Sequence, residues 1–191
     1  MRDEVIRGLK MKRNEDEDIR GYLNFLHIIL LLKYNYKIMN SNEINILARN
    51  LKIDSFLGVF AADELIGIDA YKRGVLICNT NPSNKIGEHW IALCLSKSAI
   101  IYYDSLNTNF YKSNFIQLFL EKHNKNFLRN NFQIQTFTSE RCGIHSIVFC
   151  FILGHKSNKR TFQQFLKSFA SLKLPERESL SLQYFLSLCN G

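Results

Sequence analysis

The chain has 191 residues, 46% of them apolar and 22% charged, with 25 Lys and Arg against 17 Asp and Glu. That composition excludes a wholly disordered chain, and the length suits one domain with a self-sufficient core. Five cysteines, an odd number with four inside apolar runs, argue for a reduced compartment over a secreted disulfide framework, and the net charge of +8 points to an acidic partner without bearing on fold.

Residues 1–14 are charged and read as a loose arm or short helix, and 19–34 read as a buried helix. The longest apolar run, Leu26 to Leu32, is broken by His27 and closed by Lys33, short of the ~20 residues that a membrane span needs. It follows the acidic run Glu15 to Asp18, unlike a signal peptide. A second helix is expected over 42–50, with Ser41 as its N-cap and Glu43 in its first turn. Val75–Asn79 reads as a short strand running into the loop from Thr80 to Asn84. His89–Leu95 and Ala99–Asp104 are apolar runs joined by Ser-Lys-Ser, which predicts a hairpin. An amphipathic helix follows over Phe110–His123, then a strand over Phe132–Phe137, then a fully apolar helix over Cys142–Leu153 ended by Gly154. Two more helices are expected near 161–172 and 176–188, with Pro175 between them. Strands and helices mix without strict alternation, so the class is α+β, a small central mixed sheet flanked by helices. Residues 1–40 form an N-terminal helical extension and 41–191 the main domain.

Cys142 stands where a loop breaks into the apolar helix. A helix N-terminus carries partial positive charge that stabilises a thiolate, and reactive cysteines are commonly placed there. Gly143 leaves room for a substrate backbone. The alternative for Cys142 is a buried structural thiol, the default for Cys94 and Cys150. A nucleophilic thiol needs a base, and the base an orienter. His27 lies in an apolar helix, and His123 and His155 sit beside lysines near helix ends. His145 shares the helix of Cys142, three residues on, which leaves little room for substrate between them. His89 follows a polar loop and starts a strand, where it can face a helix-borne thiol across a cleft.

Hairpin register tests its orienter, because residues opposed across an antiparallel pair share a face. If Leu95 pairs with Ser98 around a two-residue turn, Asp104 falls opposite His89; a four-residue turn puts it opposite Ile91, on the same face. A regular three-residue turn would separate the two. Acyl transfer also needs an oxyanion donor, and Gln135, seven residues before Cys142, is a candidate. Gln133 shares its predicted strand face, and periodicity does not separate them.

Together these residues resemble the adenovirus-type maturation protease (adenain) family, with its virophage and virus-like transposon relatives. The matching pieces are Phe56-Leu57-Gly58-Val59-Phe60, Ile77-Cys78-Asn79-Thr80, Gly87-Glu88-His89-Trp90, Tyr102-Tyr103-Asp104-Ser105, and Gln135 with Cys142-Gly143. They cover about residues 42–155 in the order His, Asp, Gln, Cys. The resemblance implies an adenain/ubiquitin-like-protease type cysteine protease fold over 41–191 and a viral thiol endopeptidase that processes capsid and core precursors at Gly-containing sites during virion maturation. It makes His89 the base, Asp104 its orienter, Cys142 the nucleophile and Gln135 the oxyanion donor. It also implies capsid and core proteins as substrates, DNA as a further partner, no metal or other cofactor, and activation by DNA or a viral peptide. The expected setting is the virion, or host cytoplasm or nucleus during assembly, and the expected state a monomer away from membranes. Residues 105–135 hold no cysteine to carry the family's disulfide-bound activating peptide. The basic clusters Lys72-Arg73, Lys122 with Lys125 and Arg129, and Lys156 with Lys159 and Arg160 are solvated faces or, by the resemblance, phosphate contacts. Two alternatives are a deconjugating protease for ubiquitin- or SUMO-like modifiers and a non-enzymatic basic DNA- or capsid-associated protein.

Overall fold

A computed structural model describes residues 39–69, 71–108, 114–155 and 159–189. The helix expected over 19–34, and all of the 1–40 extension before Met39, lie outside the described residues. The elements are α1 (Ser41–Asn50), β1 (Phe56–Phe60), a 3-10 turn (Asp63–Gly67), β2 (Gly74–Asn79), β3 (Trp90–Leu95), β4 (Ala99–Tyr103), α2 (Asn114–His123), β5 (Asn126–Arg129), α3 (Cys142–His155), α4 (Lys159–Ala170) and α5 (Leu174–Cys189). The class is α+β, built on a five-stranded sheet in the order β1-β2-β3-β4-β5. The inner pairs β2–β3 and β3–β4 are antiparallel, and the outer pairs β1–β2 and β4–β5 are parallel.

The sheet is buried on both faces, which is why β2 and β3 read as unbroken apolar runs. On one face Leu76, Ile91, Leu93, Leu95, Ile100 and Tyr102 pack with Ile116 and Phe119 of α2 and with the 3-10 turn. On the other lies α3, against β2 and β3 and also against α1, α4 and α5. A helix enclosed in this way needs no polar stripe, and α3 accordingly buries residues all round its circumference. Tyr103 stacks on Phe149 of α3 with ring centroids 4.8 Å apart, and Phe162 and Phe165 of α4 meet Phe149 edge-on.

Several elements differ from expectation. The N-cap of α1 is Asn40, not Ser41: its side chain accepts from Glu43 N at 3.0 Å while Glu43 returns the bond to Asn40 N, a capping box that begins one residue earlier. Phe132–Phe137 is not a strand; Ile134 and Gln135 are both buried, so the segment does not alternate. β1 and β5 are additional strands. β1 breaks its register between Phe56 and Gly58, and β5 is a half-exposed edge, so neither shows a period of two. Pro175 sits in the first turn of α5, where its missing N–H is tolerated, rather than between helices.

Gly154 does not end α3, which runs on to His155. The glycine is required by close approach: a Cβ there would lie 2.5 Å from the carbonyl oxygen of Asp54 and 3.2 Å from Ile53 Cγ2. Helix propensity alone favours Gly154→Ala by up to about 1 kcal/mol. The clash with backbone should reverse the sign, and chemical denaturation should show a net loss of about 1–3 kcal/mol.

Candidate active site

The β3–β4 register pairs Leu95 with Ile100 and Ala92 with Tyr103, leaving four residues between Leu95 and Ile100. Carried past the strand ends, that register places Asp104 opposite Ile91, the second of the two arrangements that keep Asp104 and His89 on one face. The side chains meet: His89 Nε2 lies 2.7 Å from Asp104 Oδ1, with His89 9% and Asp104 1% exposed. With Nε2–H given to the carboxylate, Nδ1 is the ring nitrogen left over, and the Cys142 side chain is near enough to influence the charge of the ring. Cys142 is the first residue of α3 and is buried. Three of the four residues singled out in the sequence thus meet at one end of the sheet.

Asp104 is held from several directions. Oδ1 also accepts from Leu106 N at 2.9 Å, and Oδ2 from Thr108 N at 2.8 Å and from the Thr108 hydroxyl. Asn130 brackets its backbone, accepting from Asp104 N at 3.0 Å and donating to Asp104 O at 2.7 Å. Burial, the largest influence, would raise the Asp104 pKa, but the hydrogen bond and charge of His89 and the bonds from Thr108 and Leu106 hold it below its ordinary 3.8. Burial is also the largest influence on His89 and pulls it down. The hydrogen bonds to Asp104 and Cys142, with their charges, outweigh it and raise the ring from 6.5 to about 9.

Gln135, the fourth residue, links the neighbours of the other three. Its Oε1 accepts from the Ser105 hydroxyl at 2.7 Å, its backbone N donates to Ser105 O at 3.0 Å, and its Nε2 donates to Ser139 O. Gln133 instead turns its amide onto Gln135 O at 2.7 Å, which separates two residues that periodicity leaves equivalent. Gly143 does not face open space: a Cβ there would come 3.3 Å from Met39 Cβ and Sδ and 3.4 Å from Ile44 Cδ1. Its small size therefore serves packing of the chain on itself rather than the approach of a substrate. His145 is buried and turned to Ser181, with Nδ1 2.7 Å from the hydroxyl.

Asn79 braces the loop that delivers His89, its Oδ1 accepting from Asn81 N at 2.9 Å and Glu88 N at 3.3 Å. A Cβ on Gly87 would lie 2.6 Å from Asn79 Nδ2, so this loop packs tightly on the asparagine. Asn130, Ser105 and Thr108 carry no functional signal in the sequence beyond a place near a motif: Asn130 and Ser105 act across 26 and 30 residues, and Thr108 reaches back to the Asp104 carboxylate, contacts that leave no periodic trace. A cavity of about 570 Å³ is walled by Met39, Phe60, Asn79, Gly87, Glu88 and Trp90, taking in the residues on either side of His89 but none of the four site residues. Ile86 and Phe137, on the loops leading to His89 and Cys142, are 92% and 75% exposed. Among the described residues, no group of three or more His, Cys, Asp or Glu could hold a metal ion, and no helix is long and apolar enough to cross a membrane. Neither a scan of protein-family models nor a search of curated proteins returns a match to this chain.

Asp104→Asn removes the main counterweight to burial, so the His89 ring should titrate well below pH 9, as read from its ring protons by NMR; an unchanged midpoint would contradict the pairing. Linkage gives a second readout. Folding raises the His89 pKa, so the stability it lends is complete below 6.5 and lost as pH rises through about 9. Folding lowers the Asp104 pKa, so its contribution is present above 3.8 and lost below. The stability gap between wild type and Asp104→Asn should be widest between those ordinary values and narrow on the alkaline side.

Proposed function

We propose that this chain is a cysteine endopeptidase of the adenain type, acting on capsid and core precursor proteins during virion maturation. One observation carries the reading: the ring of His89 lies between the carboxylate of Asp104 and the thiol of a cysteine that opens a buried helix. A base, its orienter and an activated thiol in this relation are what acyl transfer needs.

The steps follow from the chain's own groups. The Cys142 thiol gives its proton to Nδ1 of His89, whose charge is supported by Asp104. The thiolate attacks the peptide carbonyl carbon, forming a C–S bond and an oxyanion. The Cys142 N–H and the second hydrogen of Gln135 Nε2, the one not given to Ser139 O, are the available donors. Collapse breaks the C–N bond as His89 donates its proton to the leaving amine. Water, deprotonated by His89, then attacks the thioester, releasing the acid and restoring the thiol. Ile86 and Phe137, exposed on the loops before His89 and Cys142, offer apolar contacts to an extended peptide, with Gly-containing sites as the expected sequence class. The setting proposed is the virion, or the host cytoplasm or nucleus during assembly.

The test is incubation of wild-type and Cys142→Ala protein with the capsid proteins of the parent virus, with new termini mapped by mass spectrometry. Cleavage should fall at least roughly a thousandfold in the variant. Iodoacetamide should label Cys142 faster than Cys150; equal rates would leave the non-enzymatic alternative. Release of a ubiquitin-like modifier from a Gly-Gly fusion, with capsid proteins untouched, would favour the deconjugating protease.

DNA is proposed as a second partner on one specific observation. Arg73, Lys97 and Lys159, from distant parts of the chain, line one groove of about 630 Å³ with Ser96 and Ser98. Replacing the three by Gln should reduce the slope of log affinity against log salt by about 0.9 for each phosphate no longer neutralised, measured on duplex DNA. An unchanged slope would place any DNA binding elsewhere.

A further inference from the structure

The chain from Asn130 to Arg141 carries the oxyanion candidate yet belongs to no helix or strand. Its position must come from tethers. Ile134 N and Gln135 N both donate to Ser105 O, which fixes its inner side. Its outer side is gripped by two consecutive residues of α5. Arg177 donates from Nη1 to Gln133 O at 3.0 Å and lays its guanidinium over the Phe132 ring, 4.5 Å from the centroid. The same Arg177 is fixed by donating from Nε to Phe169 O at 3.1 Å. Glu178 accepts on Oε2 from Thr136 N at 3.1 Å and from the Thr136 hydroxyl at 2.7 Å. The Ser139 side chain faces this carboxylate, while the Ser139 carbonyl takes up Nε2 of Gln135.

Both flanks of Gln135 are therefore tied to one helix turn more than forty residues further along the chain. We propose that Arg177 and Glu178 are positioning residues for the oxyanion glutamine, holding the backbone before it at Gln133 and after it at Thr136, and through Ser139 setting where its amide points. This rests on the protease reading of the preceding section.

The groups around Glu178 keep it ionised. Burial, the largest influence, opposes its charge, but His145, Ser139 and Thr136 together hold its pKa at about 2. His145 Nε2 stands 4.0 Å from Glu178 Oε1, while His145 Nδ1 is engaged with Ser181. Burial lowers the pKa of His145, so this ring stays neutral and serves as a wall behind the carboxylate. The serine, histidine and glutamate here resemble a catalytic triad in composition, but Ser181 and His145 are both fully buried and offer nothing to a substrate. Of the three, Glu178 is the one that bonds the loop, through Thr136. A displacement of about 1 Å in a positioned group can lower a rate about a hundredfold without touching the reacting atoms.

Two reactions at Cys142 separate positioning from nucleophilicity. Cleavage of acetyl-Leu-Ala-Gly-Gly aminomethylcoumarin passes through an oxyanion, whereas alkylation by iodoacetamide does not. Glu178→Ala and Arg177→Ala should each lower the single-turnover acylation rate 10- to 100-fold and leave Cys142 alkylation within about twofold. Glu178→Gln, whose amide oxygen still accepts from Thr136, should recover most of the acylation. Acylation unchanged in both Ala variants, or lost in proportion to alkylation, overturns the proposal. Should Glu178→Ala fail to fold, Thr136→Val removes one tether at constant volume, and acylation equal to wild type overturns it equally. A wild-type Cys142 that alkylates no faster than Cys150 overturns the protease reading itself, which distinguishes the two failures.

Discussion

Antiparallel pairing of β3 with β4, in the register that sets Leu95 against Ile100, is the constraint on which the site depends. A shift of one residue would turn every side chain of one strand to the other face. It would also carry Asp104 away from His89 and move Tyr103 off Phe149, against which it stacks. Both faces are apolar, so what resists such a shift is packing: fitted contacts such as Tyr103 on Phe149 would be lost. The hydrophobic core thus enforces a contact between two polar side chains just beyond the strand ends. The same sheet seats α3, whose first residue is Cys142.

Charge is unusually concentrated at this end of the fold. A buried imidazolium and a buried carboxylate would each be unfavourable alone, and each is made tolerable by the other. Asp104 further collects donors from Leu106 and Thr108, which add to the support that His89 gives its ionised form. The backbone bonds of Asn130 stiffen the carboxylate's own anchor point.

How far these features are legible in the sequence depends on their physical origin. β2, β3, β4 and α3 announce themselves as apolar runs because they are enclosed. The pairing of His89 with Asp104 follows from strand parity, which a short hairpin preserves across a few turn lengths. β5 is half exposed and carries no such run. The sequence Phe-Gln-Ile-Gln-Thr-Phe over 132–137 alternates like a strand, yet tethers from Ser105, Arg177 and Glu178 override that preference and bury Ile134 and Gln135 together. Tethers reaching across 42 and 44 residues leave no periodic mark, so the role of α5 beside Gln135 is invisible in the sequence. Gly143 and Gly154 suggest substrate clearance and a helix end, whereas both are clearances for other parts of the chain.

Trp90, the residue after His89, donates its indole N–H to Met39 O at 2.8 Å, and the Met39 side chain covers Gly143 beside Cys142. The stretch just before α1 is therefore part of the wall around the site. A fragment beginning at residue 41, where the first described helix starts, would strand a buried indole donor and open a void above the start of α3. The edge of the described domain is set by a tryptophan's need for an acceptor, two residues ahead of the first described element.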